Sequence, residues 1–209
     1  MKAADLPPLV PRLVTAPSVE PITLQQAKDH LRVDGDDDND YIESLITAAR
    51  ERIEASLNRS LITTTWKVTL DRFPGGWWEV WNCGQEWIEL PRPRLISVSS
   101  IVYTDTNGTS TTWSSSNYTV DTQSEPGRVM PAYNAVWPTA RDHIAVVTIT
   151  YTAGYGAAAT AVPASIKHAM KLLVSHMYEL REPVNVGNIV TEIPMSIDYL
   201  LAAEKWTPL

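Results

Sequence analysis

Two hydrophobic periods divide the chain. Between Leu24 and Leu57 apolar residues recur at the helical spacing. Leu24, Ala27 and Leu31 share one face, and Ile42, Leu45, Ile46, Ala49, Ile53 and Leu57 form a longer 3.6-residue stripe. Thr23 stands three residues before Gln26, the spacing of a capping box that closes a helix start. Asp38 or Asn39 caps the second helix, with acids at its start and Arg50, Arg52 and Arg59 toward its end, as the helix dipole favours. The pattern predicts a helical hairpin over residues 21–62, entered from a Pro-rich extended arm, residues 1–20.

From Leu61 the period changes to two. Trp66, Val68 and Leu70 alternate with Lys67, Thr69 and Asp71, the mark of a half-buried strand. Further strands are predicted at Trp87–Leu90, Ser97–Thr104, Thr111–Trp113, Tyr118–Val120 and Ile144–Tyr151. Turn signals separate them, including Asp105-Thr106-Asn107-Gly108, Pro126-Gly127 and Gly154-Tyr155-Gly156. Helical spacing returns after Pro163, where Ile166, Ala169, Met170, Leu173, Met177 and Leu180 form one face until Pro183. A short helix fits Ser196 to Lys205.

Helices, then strands, then a helix imply an α+β protein rather than an alternating α/β one. The simplest architecture is a small helical bundle, the N-terminal hairpin plus a C-terminal helix, with an antiparallel β region inserted. Its divisions are the arm 1–20, the hairpin 21–62, the β region 63–156, a long helix 157–182 packing on the hairpin, and a tail 183–209.

Composition narrows the picture. A chain of 209 residues buries roughly 70% of its extended surface, enough for a core without metal or cross-links. A single cysteine, Cys83, excludes an internal disulfide and suits a reducing compartment. No apolar run reaches transmembrane length and no signal-peptide core follows Met1, so a soluble protein with no membrane partner is expected. Net charge is −7, from 17 basic and 24 acidic residues, which argues against gripping nucleic acid through phosphates. Six of the acids lie between Asp34 and Glu43.

That acidic run, DGDDDND, invites a calcium loop. A loop starting at Asp34 needs Gly at its sixth position and Glu at its twelfth, where the chain has Asn39 and Leu45. A solvated turn that caps a helix is the better reading. The four histidines lack HExxH spacing, and His168 and His176 stand too far apart on one helix for shared ligation. No nucleophile elbow, phosphate loop or dinucleotide fingerprint occurs. Neither a catalytic residue, a metal nor a cofactor is expected.

Eight tryptophans against one phenylalanine stand out, five of them between Trp66 and Trp87. Trp66, Trp113 and Trp137 read as core. Trp77, Trp78 and Trp81, in WWEVW, either fill the β core or form an aromatic interaction surface. The second reading leaves open a Trp-rich β binding module for a glycan or protein.

The order of several motifs carries a resemblance. PITLQQAKDHLRVDGDDDNDYIESLITAARERIEASL, residues Pro21 to Leu57, is followed by LITTTW, by IELPRP at Ile88 to Pro93, by VWP at Val136 to Pro138, by ITYTAGYG ending at Gly156, and by a helix opening at Val162-Pro163. Over residues 21–182 the chain resembles the head–tail connector, or adaptor, proteins of long-tailed double-stranded DNA phages. The resemblance implies a structural virion protein at the head–tail junction, made in the host cytoplasm, and not an enzyme. It implies a homo-oligomeric ring, often of twelve copies, that docks beneath the portal protein and extends the DNA channel. The ring then offers a platform to the next connector, stopper or tail protein. DNA passes through such a lumen without sequence-specific binding. Charge density places the acidic residues Asp34, Asp36, Asp37, Asp38 and Asp40 on the channel or its rim. Because related connectors engage the portal through C-terminal segments, Tyr199, Leu200, Leu201 and Trp206 become partner-interface candidates beside Trp77, Trp78 and Trp81. A stopper or tail terminator is the nearest alternative.

Overall fold

In the computed structural model, residues 9–74, 87–180 and 195–205 are described. The chain is α+β and divides into two compact units, each built from two separate stretches. A β unit comprises Met1–Ala16 with Thr63–Gly154, and a helical unit comprises Pro17–Ile62 with Tyr155–Leu209.

The helical unit holds α1 (Leu24–Leu31), α2 (Asn39–Leu57), α3 (Ala164–Glu179) and α4 (Met195–Leu201). The capping box forms: the Gln26 N–H donates to Thr23 Oγ1, and the Thr23 N–H donates to Gln26 Oε1, both at 3.2 Å. Arg32 and Asn58 end α1 and α2 in the left-handed conformation, with φ of 60° and 53°. The α2 stripe meets the α3 face in one core, where Ile42, Ile46, Ile53 and Leu57 pack with Ile166, Met170 and Val174. Val162 and Ile197 complete it.

A buried polar chain ties this unit together. The Arg50 guanidinium donates from Nε to Glu20 Oε2 at 2.9 Å and from Nη1 to Glu54 Oε2 at 3.1 Å. The other Glu54 oxygen accepts the Leu61 N–H at 2.7 Å, which fixes the exit of the chain after α2.

The β unit contains a five-stranded antiparallel sheet in the order β1 (Arg12–Thr15), β2 (Thr64–Leu70), β8 (Val147–Ala153), β4 (Leu95–Thr104), β5 (Ser110–Trp113). A second sheet has the order β3 (Ile88–Leu90), β7 (Gly127–Pro131), β6 (Tyr118–Asp121). Val68, Ile149, Tyr151 and Ile101 from the larger sheet share a core with Ile88, Leu90 and Val129 from the smaller. Phe73, Trp113 and Trp137 cluster within it, Phe73 stacking on Trp137 with ring centroids 5.0 Å apart. At Gly127 the smaller sheet lies tight against Leu95 of the larger, where a Cβ would stand 2.4 Å from Leu95 Cβ.

Register fixes the other face of the large sheet. Thr65, Lys67 and Thr69 of β2 stand opposite Thr152, Thr150 and Thr148 of β8. On the far side Ser97, Ser100 and Val102 of β4 oppose the same three threonines. At the near edge Arg12 of β1 pairs with Lys67.

Two strands differ from the sequence expectation. The Pro-rich start predicts an extended arm over residues 1–20, but Arg12–Thr15 folds onto β2 as an edge strand. Its four-residue run is too short and too near prolines to show a period. Pro126-Gly127 reads as a turn signal, yet Gly127–Pro131 is the central strand of the small sheet. A strand that starts at Gly and ends at Pro carries the marks of its own interruption.

Candidate functional site

The elbow between α1 and α2 presents the acidic run. Lys28, 6% exposed on α1, reaches across it. Its Nζ donates to Asp36 Oδ1 at 2.8 Å and to Asn39 Oδ1 at 3.0 Å, and Asn39 Nδ2 donates to Asp36 Oδ1 at 3.1 Å. Hydrogen bonds from Lys28 and Asn39, then the Lys28 charge, hold the Asp36 carboxyl below the ordinary aspartate value. Asp38 stands at the N-cap position of α2 without a side-chain capping bond, and accepts a hydrogen bond from the Tyr178 hydroxyl of α3. Two of the five aspartates named from the sequence therefore brace the helices. Asp34, Asp37 and Asp40 are exposed, and no described side chain pairs with them. Among the described residues no group of three or more His, Cys, Asp or Glu converges to hold a metal.

The structure also brings together a pair that sequence spacing hid. His30 of α1 and His168 of α3 meet edge to face, ring centroids 6.3 Å apart. Burial first, then the neighbouring His168 and Lys171, lowers the His30 pKa from its usual value. A contact between helices separated by the whole β region leaves no local signature.

The tail candidates separate. Tyr199 is 84% exposed, whereas Leu201 is 2% exposed and, with Ile197, belongs to the helical unit's own core. Leu200 packs partly against that core. Leu201 is thus corrected from a partner contact to a core residue. Its helix carries Ile197 and Leu201 on the inward side at i and i+4, a spacing visible in the sequence. The following turn is anchored too: the Glu204 carbonyl accepts from Arg59 Nε at 2.6 Å, and its carboxylate accepts from the Tyr155 hydroxyl at 2.6 Å. Trp77, Trp78, Trp81 and Trp206 lie outside the described residues. Of the tryptophans expected in the core, Trp113 is buried, and Trp66 and Trp137 pack partly buried against it. Arg92 lies 5.1 Å over the Trp66 ring, a cation–π contact.

No curated protein sequence matches the chain. Among solved structures, the neck of an empty GTA particle computed with C6 symmetry contains a similar chain. It has 20% identity over 96% of this chain and 97% of that one, with a TM-score of 0.76. A chain in the virion of a native gene transfer agent (GTA) particle matches at 22% identity over the same shares, TM-score 0.74. One in the neck of the native GTA particle computed with C12 symmetry matches at 21%, again over 96% and 97%, TM-score 0.72. These likenesses establish a shared fold. Residues 21–127 match the family described as phage gp6-like head-tail connector protein, and because that match spans just over half of its length, this chain belongs to that family.

Proposed function

We propose that the chain is the subunit of a ring-shaped adaptor at the head–tail junction of a phage-like particle. Twelve copies dock beneath the portal, extend the DNA channel and receive the next connector, stopper or tail protein. The observation that carries this reading is the connector-family match over residues 21–127, joined to a fold that covers 96% of the chain in particle-neck structures. Twelvefold closure is supported by the C12 neck and is compatible with the C6 one, since six divides twelve. Closed rings need head-to-tail interfaces between unlike patches.

In this reading Asp34, Asp37 and Asp40 sit on the channel or its rim, where acids offer DNA no phosphate neutralisation. The motivation is their exposure without partners among the described residues. Tyr199, exposed on a helix anchored in its own unit, meets the portal. Light scattering and negative-stain imaging of the purified chain, alone and with portal, test the proposal. A ring, formed alone or on portal, is expected; a monomer indifferent to portal overturns it. Replacing Asp34, Asp37 and Asp40 with Ala should impair DNA delivery, and normal delivery would remove them from the channel. Tyr199→Ala should weaken portal attachment while leaving the subunit folded; undiminished attachment would count against that contact.

A further inference from the structure

The outer face of the large sheet is hydroxylated and cationic. Along two of its three inner strands the outward positions are Thr65, Lys67 and Thr69 on β2 and Thr148, Thr150 and Thr152 on β8. At the β1 edge Arg12 stands directly across from Lys67, so two exposed cations share one face of adjacent strands. No carboxylate occupies a paired position there. The nearest along the same alternation, Asp71, lies beyond the end of β2 and accepts the Ala145 N–H at 2.7 Å. Like charges placed opposite each other destabilise a sheet. Neither Arg12 nor Lys67 has an acidic partner among the described residues. A cost kept without internal compensation points to an external anion.

Charge is segregated in the sequence as well. The helical unit carries fifteen acids against nine bases, whereas the β unit carries nine against eight. The net charge that argued against nucleic-acid contact therefore belongs to the helical unit. It does not describe this sheet face.

We propose that this face, Arg12 and Lys67 with the flanking threonines, contacts the phosphodiester backbone of duplex DNA. The proposal rests on the connector reading and names the surface that DNA meets. Hydroxyls and cations both donate to phosphate oxygens and fix no base sequence, since base identity is read in the grooves. Two cations per subunit give a shallow salt slope of about −1.8, hence weak contact that permits sliding.

The test titrates the full-length chain against a labelled short duplex by fluorescence anisotropy. It compares the wild type with Arg12→Glu/Lys67→Glu, each also weighed by light scattering with and without portal. The wild type should bind two unrelated duplex sequences equally. Its affinity should fall at least about tenfold between ~50 and ~200 mM salt, the value for one contacting subunit. The double variant should lose binding at least tenfold at unchanged assembly. A milder variant, Arg12→Gln/Lys67→Gln, should fall between the two. No duplex binding by wild-type rings at low salt overturns the proposal, as does undiminished binding by the double variant. Loss of ring formation in the double variant also overturns it, by making the face a joint between subunits. A wild-type chain that never assembles defeats the connector reading instead, and the mass measurement separates the two failures.

Discussion

The pair Arg50 and Glu54 offers a direct test of how the helical unit holds together. Their side chains are only 9% and 10% exposed, so neither charge is well hydrated. Glu54→Ala removes the partner of one guanidinium nitrogen and the acceptor of the Leu61 N–H. Breaking a buried pair by removing one member costs about 3–5 kcal/mol, because the other charge stays buried. For a chain of this size that lowers Tm by roughly 6–20 °C. Arg50→Met should cost a similar amount, since it strands Glu54 while Glu20, partly exposed and bonded to Thr47 Oγ1 at 3.2 Å, turns to water. The double variant Arg50→Met/Glu54→Met behaves differently. It removes both charges and leaves chiefly the Leu61 N–H without its acceptor, about 1–3 kcal/mol. The singles therefore sum to far more than the double, with a coupling of at least ~3 kcal/mol. Far-UV ellipticity follows the helices. Tryptophan fluorescence follows the β unit, which holds seven of the eight tryptophans, so the two units can be read apart. Additive single and double effects, or a Glu54→Ala loss below ~1 kcal/mol, would refute the buried-pair account.

Three further outcomes follow from the geometry. Gly127→Ala places a methyl group 2.4 Å from Leu95 Cβ and 2.6 Å from its Cδ2, so overpacking should destabilise the β unit by at least about 1–3 kcal/mol in a fluorescence-detected urea melt; a neutral result would mean the sheets can separate there freely. Lys67→Glu converts the like-charge pair with Arg12 into an opposite one and should raise the Tm of the β unit by about 1–3 °C; an unchanged or lower Tm would show that the two cations do not feel each other. Burial and the charges of His168 and Lys171 depress the His30 pKa, so just below the unfolded value of 6.5 the unfolded chain binds more protons than the folded one. Stability should be complete above that value and decline as pH falls through it toward the folded pKa. His30→Gln should flatten the decline in melts between about pH 7.5 and 5.5, and an unchanged slope would assign it to other groups.

The helices were legible because each declares itself locally. Thr23 and Gln26 write the capping box, and the α2 stripe from Ile42 to Leu57 is buried at every position named from the period. The longer strands were equally plain, since Val68 and Leu70 face the core while Lys67 and Thr69 face out. β1 and β7 were not, because each is defined by its partner more than by its own four or five residues. At the acidic elbow, composition found the residues but not their division of labour. Lys28 lies eight positions from Asp36, and Tyr178 lies 140 from Asp38, so only the folded chain separates the two bracing aspartates from the three that no described side chain engages. The same holds for Leu201. Its spacing to Ile197 announced an apolar face, and what that face meets is a long-range fact.

The family match stops at Gly127, but the fold cannot. β8, at Val147–Ala153, lies between β2 and β4, so without it the large sheet falls into two pieces. α3, at Ala164–Glu179, supplies Ile166, Met170 and Val174, each fully buried against the α1–α2 hairpin. A chain ending at Gly127 would expose that apolar face of the hairpin and lack the central strand of its sheet. Both units close only after residues beyond the matched stretch have been added, so neither can mature from residues 21–127 alone. Such a truncated chain should show neither a cooperative melt nor native far-UV ellipticity. Cooperative folding by it would mean that the hairpin and the early strands form a core of their own. The structural neighbours, covering 96% of the chain at 20–22% identity, fit the same logic. What is shared at such distance is the fold, and in this chain the burial that closes the helical unit runs through α3 and into α4.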